Sequence, residues 1–220
     1  MRDTAVRSFL SLAGLLPVLL LWVGCQSTYY AVWETLGKEK RHLLRDEVEQ
    51  ARKDQAEASE EFKDALTRVK ELTGFQGGEL ENVYLQLKDD YEDCERRAAV
   101  IDQRIENVEQ IAADLFGEWE SEIEQMTNPT FRTSSRQSLA STRQRYSRLH
   151  RAMVQARKRM DPVLSRLNDY VLYLKHNLNA QAVGALGTEM GRIEADVDVL
   201  VRDIERSIEA ADAFLKDLEA

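Results

Sequence analysis

Residues 79–126 read ELENVYLQLKDDYEDCERRAAVIDQRIENVEQIAADLFGEWESEIEQM, and this stretch decides the fold. Its apolar or aromatic side chains fall at Leu80, Tyr84, Leu87, Tyr91, Cys94, Ala98, Ile101, Ile105, Val108, Ala112, Leu115, Trp119, Ile123 and Met126. The steps are of three or four residues, alternating as far as Trp119, which keeps all of them on one face of an α-helix. A strand repeats every second residue and does not hold that phase. No proline interrupts the run.

Working outward, Thr73-Gly74-Phe75-Gln76-Gly77-Gly78 precedes it. Three glycines in six residues end one helix and turn the chain toward the next. Ahead of that turn, residues 29–73 repeat the pattern with Leu44, Val48, Ala51, Gln55, Ala58, Phe62, Ala65, Val69 and Leu72, a stripe weakened by alanines and by Gln55. Downstream, Asn128-Pro129 stops the long helix, because the residue before proline avoids helical geometry. Thr133 or Ser134 then offers a cap for a third helix over residues 133–177, with its stripe running from Leu139 through Tyr146, Leu149, Met153, Met160 and Leu167 to Leu174. Pro162 lies inside it without changing the phase, which predicts either a kink or a restart capped by Asp161. Lys175–Asn179 reads as a tight turn, with Asn179 capping a fourth helix over 180–219 that carries Val183, Leu186, Met190, Ile193, Val197, Leu200, Ile204, Ile208, Ala211, Leu215 and Leu218.

A helix with one apolar stripe buries it against others. Four such helices of similar length joined by short turns predict an all-α fold: an elongated, antiparallel four-helix bundle with coiled-coil-like packing. Two helical hairpins pairing with a second copy form the alternative, and the alanine-rich first helix makes a homo-oligomer the corresponding expectation. Only ten glycines and three prolines in 220 residues, with 31% charged residues, agree with long helices and argue against a turn-rich β fold.

The N-terminus has a different character. Arg2 and Arg7 precede an apolar run from Phe9 to Val23, shorter than the ~20 residues that span a bilayer. It ends in Leu21-Trp22-Val23-Gly24-Cys25, which resembles the lipobox of bacterial lipoproteins. That resemblance implies a signal peptide over residues 1–24, cleavage before Cys25, acylation of the Cys25 thiol, and a mature domain over 25–220. Trp22 departs from the pattern, where leucine is usual. Two or three acyl chains give stable membrane attachment, each buried CH₂ adding ~0.8 kcal/mol. Gln26 stands where an inner-membrane retention signal usually has Asp, so the expected location is the outer membrane, facing the periplasm. An uncleaved anchor is the alternative reading. With Cys25 acylated, Cys94 has no cysteine partner in the chain, and its stripe position reads as a small buried hydrophobe.

The broader pattern resembles the bacterial domain of unknown function 2959 family. The resemblance rests on Lys40-Arg41-His42-Leu43-Leu44, Phe75-Gln76-Gly77-Gly78, Tyr91-Glu92-Asp93, Leu115-Phe116-Gly117-Glu118-Trp119-Glu120, Arg159-Met160-Asp161-Pro162-Val163-Leu164 and Leu172-Tyr173-Leu174-Lys175-His176-Asn177-Leu178-Asn179-Ala180. It implies one mature domain and transfers no functional residues.

Chemistry is sparse. Glu39-Lys40-Arg41-His42 is a Glu-x-x-His pair of the kind that di-iron bundles use twice, but Ser147 and Tyr173 stand three residues ahead of His150 and His176. His176, among asparagines, fits turn hydrogen bonding better than acid–base catalysis. Zinc spacing, a phosphate loop and a nucleophile elbow are missing from the sequence. No catalytic, metal or cofactor residues are therefore assigned, and a non-enzymatic protein is expected.

Charge is the informative feature. The net charge is −9, and −10 without residues 1–24, which disfavours general nucleic-acid binding. Yet residues 130–160 contain no Asp or Glu, while carrying Arg132, Arg136, Arg143, Arg145, Arg148, Arg151, Arg157, Lys158 and Arg159. Residues 106–124 hold seven acidic side chains and no basic one. Either the basic helix lies beside acidic ones, or Arg132, Arg136, Arg143, Arg145, Arg148 and Arg151 face anionic lipid or an acidic partner. The function expected on these grounds is a lipid-anchored envelope scaffold that binds another envelope protein. A ligand-binding or enzymatic bundle and a self-assembling structural protein are the alternatives.

Overall fold

A computed structural model describes residues 40–74 and 80–219. The signal segment, Cys25, the first turns expected from residue 29, Glu39 and the Phe75–Glu79 part of the glycine turn lie outside the described residues. Four helices follow one another: α1 Lys40–Thr73, α2 Leu80–Gln125, α3 Pro129–His176 and α4 Ala180–Glu219. At ~1.5 Å per residue, the 46 residues of α2 extend about 70 Å.

Each helix lies against two neighbours, so that α1, α2, α3 and α4 form a closed ring. Cross-helix partners show the antiparallel sense, since residue numbers rise on one helix as they fall on the next. Between α1 and α2, Lys40 meets Glu118, Arg104 meets Glu47 and Asp54, Arg97 meets Glu57 and Arg68 meets Asp90. Between α4 and α1, Arg52 meets Asp212 and Lys70 meets Glu194. The chain is thus an all-α four-helix bundle closed by its own α1–α4 contact, rather than two hairpins that need a second copy.

All nine stripe positions of α1 are buried, Gln55 included. The stripes of α2 and α3 also point inward, with Tyr84, Tyr91, Leu115, Trp119 and Tyr146 only half-buried, as is Met126 just past the end of α2. The largest departure is in α4. There Ser207 and Phe214 are buried, whereas Ile208 and Leu215 are half-buried. The inward line Ile193, Val197, Leu200, Ile204, Ser207, Ala211, Phe214 keeps strict alternation of four and three. Following apolar identity alone takes two steps of four in succession and drifts off the seam. α2 departs in the other direction: Val108, Ala112 and Phe116 are buried at two successive steps of four, and Leu115 is half-buried.

The helix ends obey local chemistry. α1 closes with the Gly74 N–H donating to the Lys70 carbonyl at 3.2 Å. α3 begins four residues earlier than the expected residue 133. Asn128, not Thr133 or Ser134, is its cap; the side-chain oxygen accepts from the N–H groups of Thr130 and Phe131 at 2.9 and 3.3 Å, and Pro129 occupies the first turn. Proline suits that place because its missing N–H was an orphan there anyway. Helix continues through Pro162 without the restart at Asp161 that the sequence allowed. Proline denies the Lys158 carbonyl its intrahelical donor. Lys158 is solvent-exposed, where water can replace that bond. At the α3–α4 turn, the Asn179 side chain accepts from the Ala182 N–H at 3.0 Å, as a cap should.

Two aspartates are buried with their cations. Asp54 accepts from Arg104 at 2.6 Å and from Gln50 at 3.1 Å. Asp203 on α4 accepts from Gln155 and Arg159 on α3, and from Arg206 one turn away. Burial raises the Asp203 pKa, but the hydrogen bonds from Gln155 and Arg159 and the charges of Arg159 and Arg206 together hold it below the ordinary aspartate value. A carboxylate with a lowered folded-state pKa stabilises the fold above its unfolded pKa of ~3.9, and that contribution disappears as pH falls through the folded value. The wild-type protein is therefore expected to lose stability below about pH 4, and Asp203→Asn to lose less over that window. Urea midpoints measured from pH 6 down to pH 2 check this; parallel pH profiles for the two proteins would refute it.

Candidate functional surfaces

The basic segment of α3 sorts into side chains that the bundle uses and side chains that it does not. Arg132 donates through Nε to the carbonyl of Met126 at 2.9 Å, placing a cation at the end of α2, where the helix dipole favours one. Arg143 reaches Glu120 on α2 at 2.9 Å and lies 5.6 Å over the Phe116 ring. Arg145 reaches Asp217 on α4 at 3.3 Å. Arg157 meets Asp102 at 2.8 Å, and Arg159 meets Asp203 at 3.1 Å. Basic α3 thus lies between acidic α2 and α4. Arg136, Arg148, Arg151 and Lys158 are exposed and form no ion pair with any described residue.

Tyr146 joins three helices. Its ring meets Phe116 of α2 edge-on at 5.5 Å and Phe214 of α4 at 6.4 Å, and it stacks on His150. Burial, with the charge of Glu109 adding, pushes the Tyr146 hydroxyl up to about 12, so it stays protonated near neutrality. Burial likewise raises Tyr91 to about 12, helped by a hydrogen bond to Glu95. The tyrosines act as packing surface. Cys94 is fully buried, and burial raises its thiol well above the ordinary range, suppressing the reactive thiolate.

The three histidines do not converge. His150 touches Glu109, while His42 and His176 are exposed near opposite ends of the bundle. Asn177 donates to the Tyr173 carbonyl at 2.9 Å, so the amide beside His176 serves the turn. Among the described residues no group of three His, Cys, Asp or Glu could hold a metal ion. No described helix is long and apolar enough to cross a membrane.

One feature escaped the charge-based reading. Leu85, Leu172, Tyr173 and Leu178 are exposed, although large and apolar or aromatic. The antiparallel register fixed by Asp102–Arg157 and Glu109–His150 brings Leu85 on α2 level with Leu172 and Tyr173 on α3. Leu178 follows in the α3–α4 turn. All four therefore belong to the end of the bundle that carries the α1–α2 and α3–α4 turns, the tip; Lys40 and the α2–α3 turn mark the opposite end, the base. Lys175 and His176 flank the tip patch, and residues 175–188 contain no Asp or Glu. The signal was present in the sequence as Leu172-Tyr173 between Val171 and the stripe residue Leu174, one apolar run too wide for a single seam.

Antiparallel helices in a closed ring, with a side-chain-filled seam, make this a four-helix-bundle protein of the all-α class. Residues 29–218 match the family described as Protein of unknown function (DUF2959), and the chain belongs to that family. No curated protein and no solved structure matches it.

Proposed function

We propose that the protein is a lipid-anchored scaffold of the bacterial cell envelope, attached through acyl chains on Cys25 and binding another envelope protein through its tip. The exposure of Leu85, Leu172, Tyr173 and Leu178, all toward the tip, carries this reading. Large apolar side chains clustered outside a core mark an interaction surface, and aromatic and aliphatic anchors supply most of the affinity of protein interfaces. Lys175 and His176 beside the patch favour a partner whose apolar segment is bordered by acidic residues. The lipobox-like end of the apolar N-terminal run supports the anchor, and a rod about 70 Å long separates tip from base.

In-cell photo-crosslinking tests the reading. A probe at Leu172 or Leu85 is expected to give a discrete protein adduct, and a probe at Asp198, on the outer side of α4, is expected to give none. Equal adducts from all three positions, or none from the tip, would remove the scaffold role. Mass spectrometry of the mature chain checks the anchor separately, through the expected mass of acyl chains on Cys25.

A further inference from the structure

α3 presents three outward lines of side chains, and they differ in charge balance. On the line toward α2, Arg143 meets Glu120, Arg157 meets Asp102 and His150 touches Glu109. On the line toward α4, Arg145 meets Asp217, Arg159 meets Asp203 and Arg166 meets Asp196. From Arg143 onward each neighbour neutralises the line that faces it; Arg136, seven residues before Arg143 on the line toward α2, is left without an ion pair nearer the base. Between them, farthest from the core, stand Arg148, Arg151 and Lys158, exposed and without an ion pair to any described residue. Steps of three and seven residues keep these three on one strip, about 15 Å from first to last at ~1.5 Å per residue.

The strip has charge without apolar company. Among the described residues, α3 exposes no large hydrophobic side chain between Phe131 and Leu172. A protein docked there would find no buried anchor of the kind that gives interfaces their affinity. Phosphate groups need only guanidinium and ammonium donors that point outward. We infer that Arg148, Arg151 and Lys158 rest against the phosphate layer of an anionic membrane surface, so that the rod lies with its α3 side on the headgroups. The net charge of −9 turns the remaining faces away from such a surface and sharpens the orientation. Asp161, one turn beyond Lys158 on α3, is held by Arg157, and the exposed, unpaired Glu106 and Glu209 belong to the neighbouring helices α2 and α4.

The inference rests on the anchored reading for its choice of a membrane, and it deepens that reading. A bundle tethered through Cys25 and held also half-way along α3 lies along the surface, so its tip meets a partner at that same membrane.

The test does not depend on the lipid. The mature chain carrying Cys25→Ser, and so no acyl group, is sedimented with phosphatidylglycerol vesicles at low ionic strength. Binding is expected there and not with phosphatidylcholine vesicles. It should disappear at ~1 M salt, where the screening length shrinks to about 3 Å. With about fivefold in partitioning for each Lys or Arg near an anionic surface, the triple variant Arg148→Gln, Arg151→Gln, Lys158→Gln should bind on the order of a hundredfold more weakly. Arg202→Gln on α4 should bind as the parent does. Circular dichroism confirms that the exposed substitutions leave the helices folded. Undiminished binding by the triple variant, or no binding of the parent, overturns the inference. Inorganic polyphosphate that displaces the parent from vesicles at matched phosphate concentration also overturns it, assigning the strip to a soluble polyanion. An absent lipid on wild-type Cys25 would instead count against the anchor alone.

Discussion

Phe62→Ala is expected to lower the free energy of unfolding by ~3–5 kcal/mol, a large share of what holds a domain of this size together. Phe62 is fully buried in α1. The stripe residues on either side of it are Ala58 and Ala65, whose short side chains cannot fill the vacated volume. The loss therefore belongs in the upper part of the range for aromatic truncations, where a cavity adds to the lost transfer energy. Urea unfolding followed by helix signal should show a lower midpoint with an unchanged slope, since the surface exposed on unfolding stays the same. A change below ~1 kcal/mol would mean that the neighbouring helices collapse onto the site, contrary to a rigidly registered bundle.

Two turns earlier on the same stripe, the opposite sign is expected. Gln55→Leu should raise stability by ~1–3 kcal/mol, the usual cost of a buried polar group left without a partner. Gln55 is 1% exposed, and its Nε2 has no hydrogen-bond partner. On α4 the hydroxyl of fully buried Ser207 is unpartnered too. The pairs Arg52–Asp212 and Lys70–Glu194 set the register that puts residues 55 and 207 at one level of neighbouring helices. If thermal and urea unfolding show Gln55→Leu to be less stable than wild type, the two polar groups share a buried water that leucine expels. A polar layer in an apolar seam commonly selects register and partner at a cost in stability. The leucine variant should therefore also unfold with a shallower urea slope, the sign of a less uniquely paired native state.

The fold was legible because apolar residues recur at three and four through each segment, and no physical effect competes with that signal over such lengths. Legibility failed where identity and period disagreed. Ile208 and Leu215 are better hydrophobes than Ser207, yet the seam accepted serine, because facing helices constrain where a side chain points more strongly than one residue's preference does. It failed also at Asn128, where a residue judged only as a stop before proline turned out to begin the next helix. The charge asymmetry between α2 and α3 was plain in the sequence. Which arginines the bundle would use was not, since Arg145 and Arg148 differ only in the neighbour that each faces. The tip patch went unnoticed because Leu172 and Tyr173 read as the margin of a seam until the neighbours on both sides were in place.

The closed ring also sets an order of assembly. α1–α2, α2–α3 and α3–α4 are consecutive in the chain, so their contacts form across short loops and at little entropic cost. The α4–α1 contact joins the first described helix to the last, as Lys70 and Glu194 illustrate across 124 residues. α1, whose stripe holds Ala51, Ala58 and Ala65, must therefore wait with one flank uncovered until α4 has been synthesised. During that interval the nascent protein is an open, three-sided trough, and the period of greatest exposure to proteases and to other chains falls before the final forty residues emerge.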